Sequence, residues 1–203
     1  MRSDKTIAAG ELGTALPALD AQASGIVLEI GPGTGNQLSR YDLSKITKIY
    51  GVEPNTDLHG KLRANVKKYG LSDIYTIVPC GIEDVSTLYE YGVVHGTIDT
   101  VMSVQVLCGV PQPAKMVKEM YKLLKKGGQM IVYEHVRSDD FVSHVVQRLY
   151  NVVWPYGMGG CQLVRPTREY LIEAGRWEWM DLEGPSEEEG WSLFPRVQGR
   201  LLK

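Results

Sequence analysis

No stretch of this chain approaches the ~18 consecutive apolar residues that a membrane-spanning helix requires. Residues 1–23 carry Asp4, Lys5 and Glu11 and lack the apolar core of a signal peptide. Neither sign of charge dominates. There are 22 Lys and Arg against 24 Asp and Glu, so the chain has no surplus of positive charge for a nucleic-acid surface. Cysteine is scarce, and Cys80, Cys108 and Cys161 lie far apart with no C-x-x-C pair and no metal-ligand spacing. That usage fits a reducing compartment, here the cytoplasm, and no metal centre is expected. There is also no internal repeat, low-complexity tract or linker-like composition. A length of 203 residues suffices for one well-buried domain and is too short for two full ones. A single domain over residues 1–203 is therefore expected, with 1–24 as a lead-in helix.

What the chain does have is one glycine-rich turn in a telling position. Residues 26–30 form a short apolar run that reads as a buried strand, and Gly31, Gly33 and Gly35 follow at alternate positions. Residues 34–42 read as the helix behind them. A strand feeding a glycine turn feeding a helix opens a doubly wound nucleotide-binding sheet. Glycine permits positive φ and close approach of a ligand, and a helix start offers unpaired N–H groups. No Gly-Lys-Ser/Thr follows, which excludes a P-loop. The glycines fall as G-x-G-x-G, whereas a dinucleotide fingerprint reads G-x-G-x-x-G.

Further strands are read at 46–52, 74–78, 97–103, 129–136, 177–183 and 194–202. Helices are read at 4–21, 56–69, 83–91, 113–125, 139–151 and 167–174, with Leu12, Leu16 and Leu19 spaced to lie on the sheet. Lys125-Lys126-Gly127-Gly128 is expected to close the 113–125 helix as a cationic, glycine C-cap. Residues 154–165 are irregular and aromatic-rich. The alternation of strands and helices makes the fold class α/β, with a largely parallel sheet.

Glu29, two residues before Gly31, completes E-x-G-x-G-x-G. This resembles the first motif of the class I S-adenosylmethionine (SAM) methyltransferases. G-V-E-P-N, G-I-E, I-D-T-V-M-S and L-L-K-K-G-G then follow in that family's order. The resemblance implies a Rossmann-like sheet of order 3-2-1-4-5-7-6 with strand seven antiparallel. It implies SAM as cofactor and S-adenosylhomocysteine as product. It also implies a site at the carboxyl ends of the strands, the usual ligand position in open α/β sheets. Gly31, Pro32, Gly33, Gly35 and Asn36 would follow strand one, with Glu29 near the ammonium. Glu53, Pro54 and Asn55 would follow strand two. Glu53, 22 residues beyond Gly31, is placed to accept the ribose hydroxyls, and its charge disfavours NADP. A solvated strand-end acid is its plainer alternative. Gly81, Ile82 and Glu83 would meet the adenine, unless Glu83 caps the next helix. Ser103, Val104 and Gln105 would lie along the methionine part, although Val104, Val106 and Leu107 read equally well as core.

Three more segments narrow the resemblance. Val106-Leu107-Cys108-Gly109-Val110, Tyr133-Glu134-His135-Val136 and Trp154 to Leu163 look like segments of the animal methyltransferase-like thiol S-methyltransferases. That resemblance covers roughly residues 25–203 and implies a small-molecule acceptor, most simply a thiol. The N-terminal membrane anchor of those enzymes is not read here. His135 is the best-placed base, or else a histidine bonded to a loop. His144 is expected on a helix surface, and His59 and His95 away from the site. Trp154, Tyr156 and Trp191 are candidate walls of the acceptor pocket, as is the segment holding Cys161, whose thiol has no step to perform and reads as structural. A small-molecule O- or N-methyltransferase and a non-methylating SAM-binding protein remain as alternatives. An NAD oxidoreductase lacks its glycine spacing here, and no Asn/Asp-Pro-Pro-Tyr/Phe motif points to nucleic acid or protein. A monomer or homodimer is expected.

Overall fold

The computed structural model describes residues 14–184 and 192–203. Its strands are β1 (Gly25–Ile30), β2 (Ile46–Val52), β3 (Tyr75–Val78), β4 (Ile98–Val104), β5 (Leu124–His135), β6 (Trp179–Glu183) and β7 (Arg196–Leu202). Its helices are α1 (Leu16–Asp20), α2 (Thr56–Lys68), α3 (Val85–Glu90), α4 (Pro113–Leu123), α5 (Phe141–Tyr150), α6 (Trp154–Gly157) and α7 (Thr167–Ile172). The seven strands form one sheet in the order β3-β2-β1-β4-β5-β7-β6. β1 to β5 pair in parallel, and β7 runs antiparallel to both β5 and β6. The expected α/β class and strand order are both present.

Both faces of the sheet are covered, which is why the central strands read as apolar runs. Leu28 and Ile30 pack on one face with Val101, Met130 and Leu123. Val27 points to the other, with Ile49, Met102 and Ile131. Burying each such side chain contributes ~1.5–3 kcal/mol. Helix starts follow local chemistry. Asp140 Oδ2 accepts the Ser143 N–H at 2.7 Å and starts α5, and Asn55 Oδ1 accepts the Asp57 N–H and starts α2.

Three readings are corrected. No α-helix spans 34–42. Gly35 takes φ +88°, which an α-helix cannot include, and the chain crosses by turns and a single 3-10 turn at Leu38–Arg40. No helix start therefore stands behind the glycines. The Gly127-Gly128 pair is not a helix cap. α4 ends at Leu123, and the pair lies in β5, where Gly127 donates to the Lys203 carbonyl and Lys203 to that of Gly128. The cation in the last turn of α4 is Lys122, and Lys203 Nζ donates to the carbonyls of Tyr121 and Leu124 there. The 154–165 segment is not wholly irregular, since Pro155 at the second position of α6 starts a short helix. Of the lead-in helix, α1 is present with Leu16 and Leu19 buried. Leu12 and Trp191 lie outside the described residues. Among these, no helix is long and apolar enough to cross a membrane.

Candidate active site

A cavity of about 540 Å³ opens at the carboxyl ends of β1 to β5. Volumes of that order hold small ligands and cofactors. Ten of the residues expected from the sequence line it: Gly31, Glu53, Pro54, Gly81, Ile82, Glu83, Gln105, His135, Trp154 and Cys161.

Gly31 turns the chain away from β1 at φ +59°, and a Cβ there would meet the Val106 side chain at 2.3 Å. Glu53 lies at the end of β2, 6% exposed. One carboxylate oxygen accepts the Gly33 N–H and the other the Asn55 N–H, each at 2.9 Å. Each oxygen keeps a lone-pair position, so the pair fits a ribose diol across the cavity. Beneath it, His59 Nε2 bonds the Glu53 carbonyl at 2.8 Å, which requires a proton on Nε2. His59 therefore supports the site and is not remote from it. Glu83 lines the cavity and does not cap α3. Asp84 does so, accepting the Thr87 N–H.

The other expected residues lie outside the lining. Gly33, Gly35, Pro32, Asn36 and Asn55 build the loops behind it. Val104 is half-buried away from it. Ser103 is fully buried and donates to Glu134 Oε1 at 2.7 Å. Tyr156 is 91% exposed, because α6 turns it outward, and it is no wall of the pocket. His95 pairs with Glu119 at the surface. His144 is half-buried on α5, with Nδ1 enclosed and unpartnered.

Glu29 also misses the cavity. Strand parity puts it on the Val27 face, where its carboxylate accepts the Tyr75 hydroxyl at 2.8 Å. Gly51 makes room for this, since a Cβ there would meet the Tyr75 oxygen at 2.1 Å. Burial pushes the Glu29 pKa up to about 7, against the lowering effect of the Tyr75 and Tyr41 hydroxyls.

The end of the cavity beyond β4 and β5 was partly legible in the sequence, through the 106–110 and 154–161 segments. Val106, Cys108, Val110, Pro111 and Met158 line it together with Trp154. The V-L-C-G-V segment carried the signal for Val106, Cys108 and Val110, of which Val106 also reads as core, and the 154–161 segment carried it for Met158. The loop is held by Glu134, which is fully buried at the end of β5 and accepts the Val106 and Leu107 N–H groups at 3.0 Å. Burial raises Glu134 to about 7 even against those donors. Arg165 braces the same loop by donating to the Leu107 and Val110 carbonyls.

Cys108, His135 and Cys161 meet here, from three separate segments. Contacts from Cys108 and then His135 hold the Cys161 thiol well below its ordinary pKa. The bond to Cys161, with burial, pushes Cys108 well above its own. Two of the three cysteines that lacked any metal spacing along the chain, Cys108 and Cys161, are thus neighbours in space.

Residues 28–132 match the model of the methyltransferase domain family. Thiol S-methyltransferase TMT1B of Rattus norvegicus is 26% identical over 179 residues, covering 87% of this chain and 70% of that protein. Phosphatidylethanolamine N-methyltransferase of Cereibacter sphaeroides is 28% identical over 115 residues, 57% of this chain and 53% of that protein. A solved structure of a geranyl diphosphate methyltransferase in complex with SAM superposes with a TM-score of 0.69 at 13% identity, over 98% of this chain and 89% of that one.

Proposed function

The chain belongs to the methyltransferase domain family and is a SAM-dependent methyltransferase, and from that premise we propose that its acceptor is the sulfur of a small-molecule thiol. The observation that carries the proposal is the chemistry of the cavity's far end. Its walls are apolar, and the imidazole there, His135, has Cys161 Sγ at 3.6 Å from Nδ1 rather than a carboxylate. Such an imidazole is poorly backed as a base for an alcohol. A thiol needs little help, since at an ordinary pKa of ~8.5 a few per cent is thiolate at pH 7. The likeness to a thiol S-methyltransferase over most of the chain supports the same reading.

SAM, when bound, supplies an electrophilic methyl carbon on a sulfonium. In this reading Glu53 holds the ribose hydroxyls, the Gly81-Ile82-Glu83 turn meets the adenine, and Gln105 follows the methionine chain. Trp154, Val106 and Val110 exclude water and align the acceptor sulfur with the methyl, which is most of what an in-line displacement needs. Neutralising charge as a thiolate attacks a sulfonium is favoured where water is excluded.

An amine acceptor is the second reading, favoured by the likeness to a phosphatidylethanolamine N-methyltransferase. Incubation with SAM and a panel of thiols, phenols and amines, read by mass spectrometry, separates the two. Methylation at the sulfur of the thiols is expected. Inert thiols beside a methylated oxygen or nitrogen acceptor would overturn the thiol reading.

A further inference from the structure

Cys108 Sγ, Cys161 Sγ and an imidazole nitrogen of His135 all lie within 4.8 Å of one another. Cys161 Sγ stands 3.6 Å from His135 Nδ1. Sulfur at ~2.3 Å and nitrogen at ~2.0–2.1 Å from one tetrahedral zinc ion are about 3.5–3.6 Å apart, so this pair already has ligand spacing. As hydrogen bonds these contacts are weak. Each involves a thiol, a weak donor and acceptor, and Cys108 Sγ, besides its contact with Cys161, reaches the Gln105 carbonyl only at 3.9 Å. The two thiols are 4% and 7% exposed, enclosed with Leu163, Trp154 and Phe194.

Each donor is independently anchored. The Cys108 loop hangs on Glu134 and Arg165. The Cys161 loop hangs on Asn151, which accepts the Leu163 N–H and donates to Gln162. Thr167 donates to the His135 carbonyl. Supporting contacts of this kind hold a ligand set in place before an ion arrives. Two thiolates and an imidazole form a soft set, suited to zinc over magnesium or calcium. Two thiolates also neutralise a divalent charge in this apolar setting. All three residues line the cavity, and among the described residues no other metal-binding side chain joins them. Three protein ligands with one open position is the pattern of a catalytic rather than a structural zinc site.

We propose that Cys108, His135 and Cys161 bind a zinc ion whose open fourth position faces the cavity and takes the acceptor sulfur. The identity of that occupant rests on the thiol reading above. The acceptor thiol gives its proton to solvent as it binds the ion. Its sulfur lone pair then forms the bond to the methyl carbon. The bond from that carbon to the sulfonium breaks, its electron pair staying with the departing sulfur, and the methyl thioether and S-adenosylhomocysteine leave.

The test is a titration of the metal-free chain, kept reduced by a phosphine, with Co²⁺ alone as a spectroscopic stand-in for zinc. One ion per chain is expected. It should show a near-ultraviolet thiolate-to-cobalt band and the visible bands of a tetrahedral ion, both displaced by Zn²⁺. Cys108→Ser and Cys161→Ser should each halve the thiolate band, and Cys80→Ser should leave it whole. Adding a small alkane thiol without SAM should raise the band by about half, from two thiolates to three. A wild-type chain without a thiolate band overturns the site, and that result needs no variant to fold. A band unmoved by the alkane thiol overturns the open position. Thiol methylation as fast without zinc as with it overturns the ion's role and leaves the thiol reading standing. Metal uptake with no thiol methylated keeps the site and overturns that reading instead.

Discussion

The carboxylate of Glu134 accepts the backbone N–H of Val106 at 3.0 Å through both of its oxygens. This one contact ties the end of β5 to the loop after β4. His135, the next residue, and Cys108, two residues past Val106, are therefore positioned by the same buried acid.

Replacing Glu134 by Gln tests that tie. An amide keeps the shape but turns one acceptor into a donor, which would then face the Val106 or Leu107 N–H. Hydrogen bonds to a charged group contribute ~1.5–3 kcal/mol each, so unfolding stability should fall by at least that much for the one lost. Acceptor KM should rise while SAM affinity changes little. Unfolding in urea and steady-state kinetics measure both, and an unchanged acceptor KM would mean that the loop holds itself.

For Glu53→Ala the cost falls on the cofactor. The substitution removes the acceptor of the Gly33 and Asn55 N–H groups and, in the proposed reading, of the ribose hydroxyls. At ~1.5–3 kcal/mol for each bond to charge, SAM affinity should drop at least tenfold with the fold retained. Calorimetry giving the wild-type dissociation constant would reduce Glu53 to a brace for the glycine loop.

Stability should also depend on pH through Glu29. Its carboxyl faces the Tyr75 and Tyr41 hydroxyls and the acids Asp20 and Glu53, and its folded pKa is about 7 against an ordinary 4.5. The folded state thus holds the proton more tightly than the unfolded one. The contribution is full below about 4.5 and is lost as pH rises through about 7. Each unit of that gap corresponds to ~1.4 kcal/mol. Glu29→Gln should therefore gain stability relative to wild type between these limits, as read from melting temperatures across pH. A wild-type advantage that grows with pH would reverse the assignment.

Trp154 and Tyr156 make a paired test, because Trp154 lines the cavity and Tyr156 is exposed. Trp154→Ala should raise acceptor KM by roughly tenfold or more, the scale of ~1–3 kcal/mol for apolar contact in a pocket. Tyr156→Ala should leave it within twofold. Equal effects from the two would mean that α6 moves when the acceptor binds.

Much of this protein was written in linear pattern. The apolar run before Gly31, the alternation of strands with helices and the acid after β2 placed the sheet, the edge where the cavity opens and Glu53 in its lining, because each depends on a local period or a strand end. The helix expected over 34–42 failed on a local conflict, the positive φ at Gly35. The cap expected at Gly127 failed because Lys203, just past β7 and 76 positions away, claims that backbone. Glu29 was placed by motif near the ligand, but strand parity and the space above Gly51 turned it toward Tyr75. The meeting of Cys108, His135 and Cys161 has no signature along the chain. It exists because β4 and β5 are neighbours and the loop after α6 folds back over their ends, and side-chain chemistry between segments that far apart is decided only when the sheet closes.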